Sequence, residues 1–174
     1  RKWFGNNEFI VNFENRGKTV CDYIDNFSNS KVGSNGRVIN RKYYFKESIT
    51  WSFVSSSKFG VRYQPKGFIF DVAGSSIFPN PEERLYLLGF LASKLAYEFL
   101  FIQNPTLNFQ VGNISNLPVI IINDENLKSR IEELVANNIE ISMDNWNSYE
   151  TSWDFLVQPI LKYRGEVPTI RDSF

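Results

Sequence analysis

Asn80-Pro81-Glu82-Glu83-Arg84-Leu85-Tyr86-Leu87-Leu88-Gly89 is the stretch at which the chain changes its hydrophobic period. Asn at the N-cap, Pro at the first helical position and Glu at the third make a helix start, with acidic side chains facing the positive end of the helix dipole. Leu85, Leu88, Ala92, Leu95, Ala96 and Phe99 then recur at three- and four-residue steps, the spacing of one helix face. The helix is expected to run from Pro81 to about Gln103, because Pro105 disfavours a helical Asn104. Gly89 and Ser93 are small and four apart, so a neighbouring element is expected to pack closely there.

Upstream of Asn80 the period is two. Glu8 to Glu14 alternates Phe9, Val11 and Phe13 on one face, as a half-buried strand does. Val38 to Phe45, Ile49 to Val54, Phe59 to Tyr63 and Phe68 to Val72 are further β-rich runs, the last two separated by the turn signal Pro65-Lys66-Gly67. Gly33-Ser34-Asn35-Gly36 reads as a loop. Downstream, a second helix is expected from about Asp124 to Asn145. Its Leu127, Ile131, Leu134, Asn138 and Ile141 follow heptad spacing, which suits either the domain core or a partner helix. Asn104 to Ile122 reads as a long irregular connection in which Val119 to Ile122 forms a short strand or a buried extended stretch. The chain beyond Trp146 is expected to be extended and packed down.

These elements give an α+β fold, a twisted and mostly antiparallel sheet with two main helices. A single domain of 174 residues is expected, strand-rich over 1–78, helical over 79–147 and extended over 148–174. A chain of this size buries roughly two-thirds of its unfolded surface and holds a core without disulfides or metal. The start at Arg1 reads as a piece of a longer protein. No apolar run is long enough to span a membrane, and the single cysteine, Cys21, fits a reducing, cytoplasmic setting.

Composition excludes much chemistry. With no histidine and one cysteine, Ser-His-Asp and Cys-His catalysis and the common zinc sites are out. Cys21 has no base beside it in sequence and reads as inert. Gly33 to Gly36 lacks the Lys-Ser/Thr of a phosphate loop, and Gly60, Gly67 and Gly74 do not give a dinucleotide or S-adenosylmethionine loop. The acidic pairs Asp124-Glu125 and Glu132-Glu133 read as solvated helix faces. Asn104-Pro105-Thr106-Leu107 invites comparison with the Asn-Pro-Pro-aromatic site of amino-group DNA methyltransferases, but the second Pro and the aromatic are missing. No catalytic, cofactor-binding or metal-binding residue is assigned.

Net charge is zero but unevenly spread. Residues 37–66 carry seven basic side chains and one acidic, a net of +6, whereas residues 67–174 carry a net of −7. The basic segment also contains Tyr43, Tyr44, Phe45, Trp51, Phe53, Phe59 and Tyr63, and cations interleaved with rings suit phosphate contacts and base stacking. Arg41, Lys42, Lys46, Lys58, Arg62 and Lys66 are the candidate phosphate ligands. Trp51 and Ser55-Ser56-Ser57 are candidate base readers. Lys58, Arg62 and Lys66, four apart, would share a face on an uninterrupted strand. The same pattern also arises on any sheet with charged side chains outward.

Several strings resemble one family in order along nearly the whole chain. They are Arg1-Lys2-Trp3-Phe4-Gly5-Asn6, Val11 to Gly17, Ile49 to Phe53, Ser57 to Tyr63, Gly67 to Asp71, Asn104 to Gly112 and Tyr149 to Phe155. They resemble the C-terminal region of PglX-type proteins, the adenine-specific DNA methyltransferases of BREX phage-resistance systems, related to fused type II restriction–methylation enzymes. Gln158-Pro159 stands where that family commonly has His-Pro. The resemblance implies a target-recognition region, similar in fold to the recognition domains of type I specificity subunits. It implies S-adenosylmethionine in the parent protein and none in this chain. The implied partners are double-stranded DNA, the N-terminal methyltransferase domain and other defence-system subunits. The competing expectation is a protein-interaction module docking onto the methyltransferase or other defence-system subunits through the heptad helix and the acidic half of the chain.

Overall fold

The computed structural model describes residues 1–29, 31–56 and 58–162. Three antiparallel strands, β1 (Ser48–Trp51), β2 (Val61–Gln64) and β3 (Ser76–Ile77), form a sheet in the order β2-β1-β3. Thr50 lies opposite Arg62 on one side and Ser76 on the other. Side chains alternate across a sheet, so the polar-apolar alternation of these strands fixes their orientation. Ile49, Trp51 and Val61 are fully buried, and Tyr63 and Ile77 pack against the same core.

Helices cover that apolar face. The predicted helix over 81–103 is instead two, α3 (Pro81–Ala92) and α4 (Lys94–Gln103), bent by 68° at Ser93. Ser93 leaves helical geometry and its hydroxyl accepts from the Ala96 amide at 3.1 Å, making it the N-cap of α4. A continuous rod would carry one end off the small sheet; the bend returns Ala96 and Leu100 to the core. The helix ends at Gln103 as expected, with Asn104 extended before Pro105. The long helix α6 (Glu125–Asn147) also forms as expected, its first amides capped by Asp124. It crosses α3 at Gly89, where an added Cβ would meet the Val135 Cγ2 at 2.8 Å. Gly89 is therefore the close-approach point that its sequence suggested.

Other expectations fail for lack of a strand partner. Glu8 to Phe13 alternates but pairs with nothing described; Phe9 is 90% exposed. Trp3 joins the sheet instead, its amide donating to the Val61 carbonyl at 2.9 Å and its carbonyl accepting from Tyr63 at 2.8 Å. The predicted strand ends where α1 (Glu14–Phe27) begins, through left-handed Asn15, Arg16 and Gly17. Only glycine fits at position 17, where φ is +77° and a Cβ would meet the Phe13 ring at 2.6 Å.

Gly33 to Gly36 is not a loop but the start of the one-turn α2 (Gly33–Arg37), fastened by Asp25, which accepts from the Ser34 amide and hydroxyl. Val38 to Phe45 contains a 3-10 turn over Arg41–Tyr43 rather than a strand. Its rings enter a cluster in which Phe13, Phe45 and Phe70 meet Tyr44 edge-on, and Tyr43 stacks on Phe78 at 4.8 Å. Phe68 to Val72 supplies this cluster and is not a strand.

The connection after Asn104 is more ordered than its sequence suggested. Phe109 donates to the Phe53 carbonyl and Ser55 to the Leu107 carbonyl, so 107–109 prolongs the sheet before the short helix α5 (Val111–Ser115). Val119, Ile120 and Ile121 are neither strand nor buried. In the tail, Trp153 and Leu156 are exposed rather than packed down, and Pro159–Lys162 forms a helical turn, α7. The part of the expected tail beyond Lys162 lies outside the described residues. No single helix among them is long and apolar enough to cross a membrane.

Trp51 ties these layers together. Its ring is fully buried and its indole N–H donates to the Phe109 carbonyl at 2.9 Å. Trp51→Phe keeps much of the ring but strands that carbonyl, a loss of about 1–3 kcal/mol. Urea denaturation should show a lower midpoint with an unchanged slope; an unchanged midpoint would remove Trp51 as the anchor.

Candidate nucleic-acid interface

The alternation that buries Ile49 and Trp51 sends Ser48, Thr50, Ser52, Arg62, Gln64 and Ser76 to the opposite face. That face floors a cleft of about 520 Å³, walled by the N-terminal segment around Asn6 to Phe9 and by the 68–78 segment. Its volume falls within the roughly 300–1,000 Å³ usual for small-ligand sites. Arg62 is only 6% exposed. Its Nη1 donates to the carbonyls of Gly60 (3.2 Å) and Arg1 (3.5 Å), and its Nη2 to the Ser52 hydroxyl (3.3 Å). No carboxylate pairs with it among the described residues. Burial pushes the Arg62 guanidinium below its ordinary pKa, yet arginine stays cationic. The cleft floor therefore carries an unneutralised positive charge.

The other predicted ligands divide between several places. Lys46 lines the same cleft, and both Lys42 and Lys46 lie over the Tyr43 ring, at 5.0 and 5.5 Å from its centre. Arg41 is a structural clamp: it donates to the Val38 and Arg16 carbonyls and to the Cys21 sulfur at 3.1 Å. Lys58, Ser55 and Ser56 line a second cavity of about 370 Å³ beside Asn104 and Pro105; Ser57 lies outside the described residues. Lys66 is exposed on the turn after β2. The expected shared face of Lys58, Arg62 and Lys66 does not form, because only Arg62 lies on a strand.

Trp51 is a correction of a different kind. As a core anchor with its N–H already bonded, it has no ring face to offer a base. Tyr43, Tyr44, Phe45 and Phe59 are likewise engaged with other rings. Sequence reasoning missed Asn6, Asn7, Phe9 and Gln64. The signal for Gln64 was the period of two in Val61-Arg62-Tyr63-Gln64; nothing local marked the N-terminal residues, which reach the cleft by folding back.

Nor do the described residues fit the S-adenosylmethionine that the resemblance implies for the parent. Its usual cradle is a glycine-rich turn leading from a strand of a parallel sheet into a helix. Here all three strands are antiparallel, and Gly33 to Gly36 follows a helix.

On the apolar side of the sheet, Tyr63 donates to Glu47 at 2.9 Å and Arg84 pairs with it at 2.8 Å. The Tyr63 hydroxyl, with the Arg84 and Lys66 charges, holds the Glu47 carboxyl below its ordinary 4.5. A depressed carboxylate pKa stabilises the fold above the unfolded value, and the gain disappears as pH falls through the folded one. Thermal melts between roughly pH 5 and pH 3 should therefore fall more steeply for the native chain than for Glu47→Gln. Parallel curves would show that the triad adds nothing.

No family model matches the chain. Over 170 residues, 96% of its length, it is 38% identical to an adenine-specific methyltransferase BrxX of Escherichia coli O9:H4 (strain HS). Over 162 residues, 92% of its length, it is 36% identical to an adenine-specific methyltransferase PglX of Lacticaseibacillus casei (strain Zhang). It spans 13% of the length of each relative and is thus similar to one small region of such enzymes.

Proposed function

We propose that this chain is the DNA target-recognition region of an adenine-specific methyltransferase acting in BREX-type phage defence. Similarity over nearly the whole chain to a small region of two such enzymes carries the reading. The cleft supports it, since phosphate contacts position a protein on DNA while amide and hydroxyl groups read base edges. Lys42 and Lys46 contact backbone phosphates; Asn6, Asn7 and Gln64 face the bases. Methyl transfer from S-adenosylmethionine takes place elsewhere in the enzyme, on an adenine flipped from the duplex.

Lys42→Ala and Lys46→Ala together test this in the full-length enzyme. Each phosphate contact contributes about −0.9 to the slope of log affinity against log salt, so the double variant should flatten the slope by roughly two. The loss should be equal on cognate and non-cognate duplexes. An unchanged slope and affinity would place the DNA surface elsewhere.

The exposed side of α6 favours a second role, docking within the parent protein. Leu127, Leu134 and Ile141, seven residues apart, are 50%, 51% and 67% exposed, while Val135, Ile139 and Trp146 face the core. At 3.6 residues per turn the exposed stripe lies about a third of a turn from the buried one. The occupant it fits is a heptad-bearing helix of the methyltransferase portion. Leu134→Lys should leave the melting temperature of this chain within about 1 °C, because exposed substitutions rarely change stability. It should abolish co-purification with a separately expressed methyltransferase portion. Unfolding, or undiminished association, would defeat the docking role.

A further inference from the structure

The cleft holds two sets of hydrogen-bonding groups that the fold leaves unused. Arg62 has five N–H donors, and among the described residues only three bonds from them are made, all to uncharged acceptors. Two donors of a buried guanidinium therefore remain, the number that a phosphate accepts in bidentate fashion. A buried cation without a counterion is costly, and a bound anion would remove that cost. The second set lies on Gln64 and Asn7. The Gln64 Nε2 donates to the Asn7 Oδ1 at 3.3 Å, leaving the Gln64 carbonyl as acceptor and the Asn7 amide as donor. Paired amide acceptors and donors match the edge of a nucleobase. Phe9 also lines the cleft with 90% of its surface exposed, in contrast to the packed rings of Phe70 and Phe78.

We propose that the cleft receives a single unstacked nucleotide, its phosphate on Arg62 with Lys46 and its base edge on Gln64 and Asn7, with Phe9 against the ring. Base–aromatic stacking is worth about 1–3 kcal/mol by alanine substitution, so an exposed phenylalanine at such a site has a defined use. Glu8 and Asp71 are the acids that also line the cleft. Asp71 already accepts from the Gly74 amide at 2.9 Å, so its charge is partly engaged. The nucleotide is either free or a base-unpaired position within DNA; only the second source rests on the DNA-recognition reading.

The test uses this chain, labelled with nitrogen-15, titrated with each deoxynucleoside monophosphate and with inorganic phosphate. Added nucleotide should shift the side-chain signals of Arg62, Gln64 and Asn7, and inorganic phosphate that of Arg62 but not those of Gln64 and Asn7. Phe9→Ala and Gln64→Leu should each weaken nucleotide binding about tenfold without changing the melting temperature. Arg62→Met should abolish binding; because Arg62 is buried, Phe9→Ala decides the matter if that variant unfolds. A parallel series uses a paired duplex, a duplex with one extrahelical base and a single strand. Tighter binding to the last two than to free nucleotide assigns the site to DNA; tighter binding to free nucleotide makes it a soluble-nucleotide site. Silent cleft signals, or unchanged affinity in Phe9→Ala and Gln64→Leu, would overturn the proposal. If the Lys42 and Lys46 substitutions still weaken DNA binding by the full enzyme in that case, the recognition role stands without the nucleotide site.

Discussion

Strand β1 divides the molecule. In Ser48-Ile49-Thr50-Trp51 every second side chain is apolar, and pairing on both edges locks that alternation in place. A shift of one residue would turn Trp51 toward the cleft and Thr50 into the core. Ile49 and Trp51 recruit α3, α4 and the 107–109 segment, while Ser48 and Thr50 leave a polar floor on the other side. The core and the candidate site are thus two faces of the same four residues.

The polar face is organised around a charge. Arg62 is opposite Thr50 in register and is roofed by the returning N-terminal segment, whose Trp3 pairs along the outer edge of β2. Carbonyls and a hydroxyl solvate the guanidinium but do not neutralise it. Lys42 and Lys46, drawn over Tyr43, add positive potential nearby. Such a surface suits a ligand that brings its own negative charge, as a nucleic-acid backbone does.

The helical layer shows how small residues set geometry. Gly89 lets Val135 approach the α3 backbone, and Ser93 breaks α3 from α4 while capping the second helix. The contact at Gly89 also rotates α6 so that Ile131, Val135, Ile139 and Met143 face inward. Its heptad positions Leu127, Leu134 and Ile141 are left outside. One helix thereby serves the core with one stripe and leaves another exposed.

Much of this was legible along the chain. The Pro81 start of α3, the end of α4 before Pro105, the start of α6 near Asp124, the β1 and β2 strands and the close approach at Gly89 follow from local sterics and from hydrogen bonding within a few residues. The break at Ser93 does not, and the Asn80 side chain makes no capping hydrogen bond. The resemblance to PglX-type methyltransferases was equally a property of the linear string. Tertiary structure alone decided which alternating segments became strands, because a strand needs a partner: Phe9, Val11 and Phe13 have the right period and no ladder. It also decided which cations share a site, bringing Lys46 and Arg62 to one cleft and sending Lys58 to another. Burial made Trp51 an anchor rather than a reader, and it drew Ile131 of the α6 heptad into the core while leaving Leu127, Leu134 and Ile141 exposed. A periodic pattern states that a face exists; what that face meets depends on residues distant in sequence, through packing and charge that no local window contains.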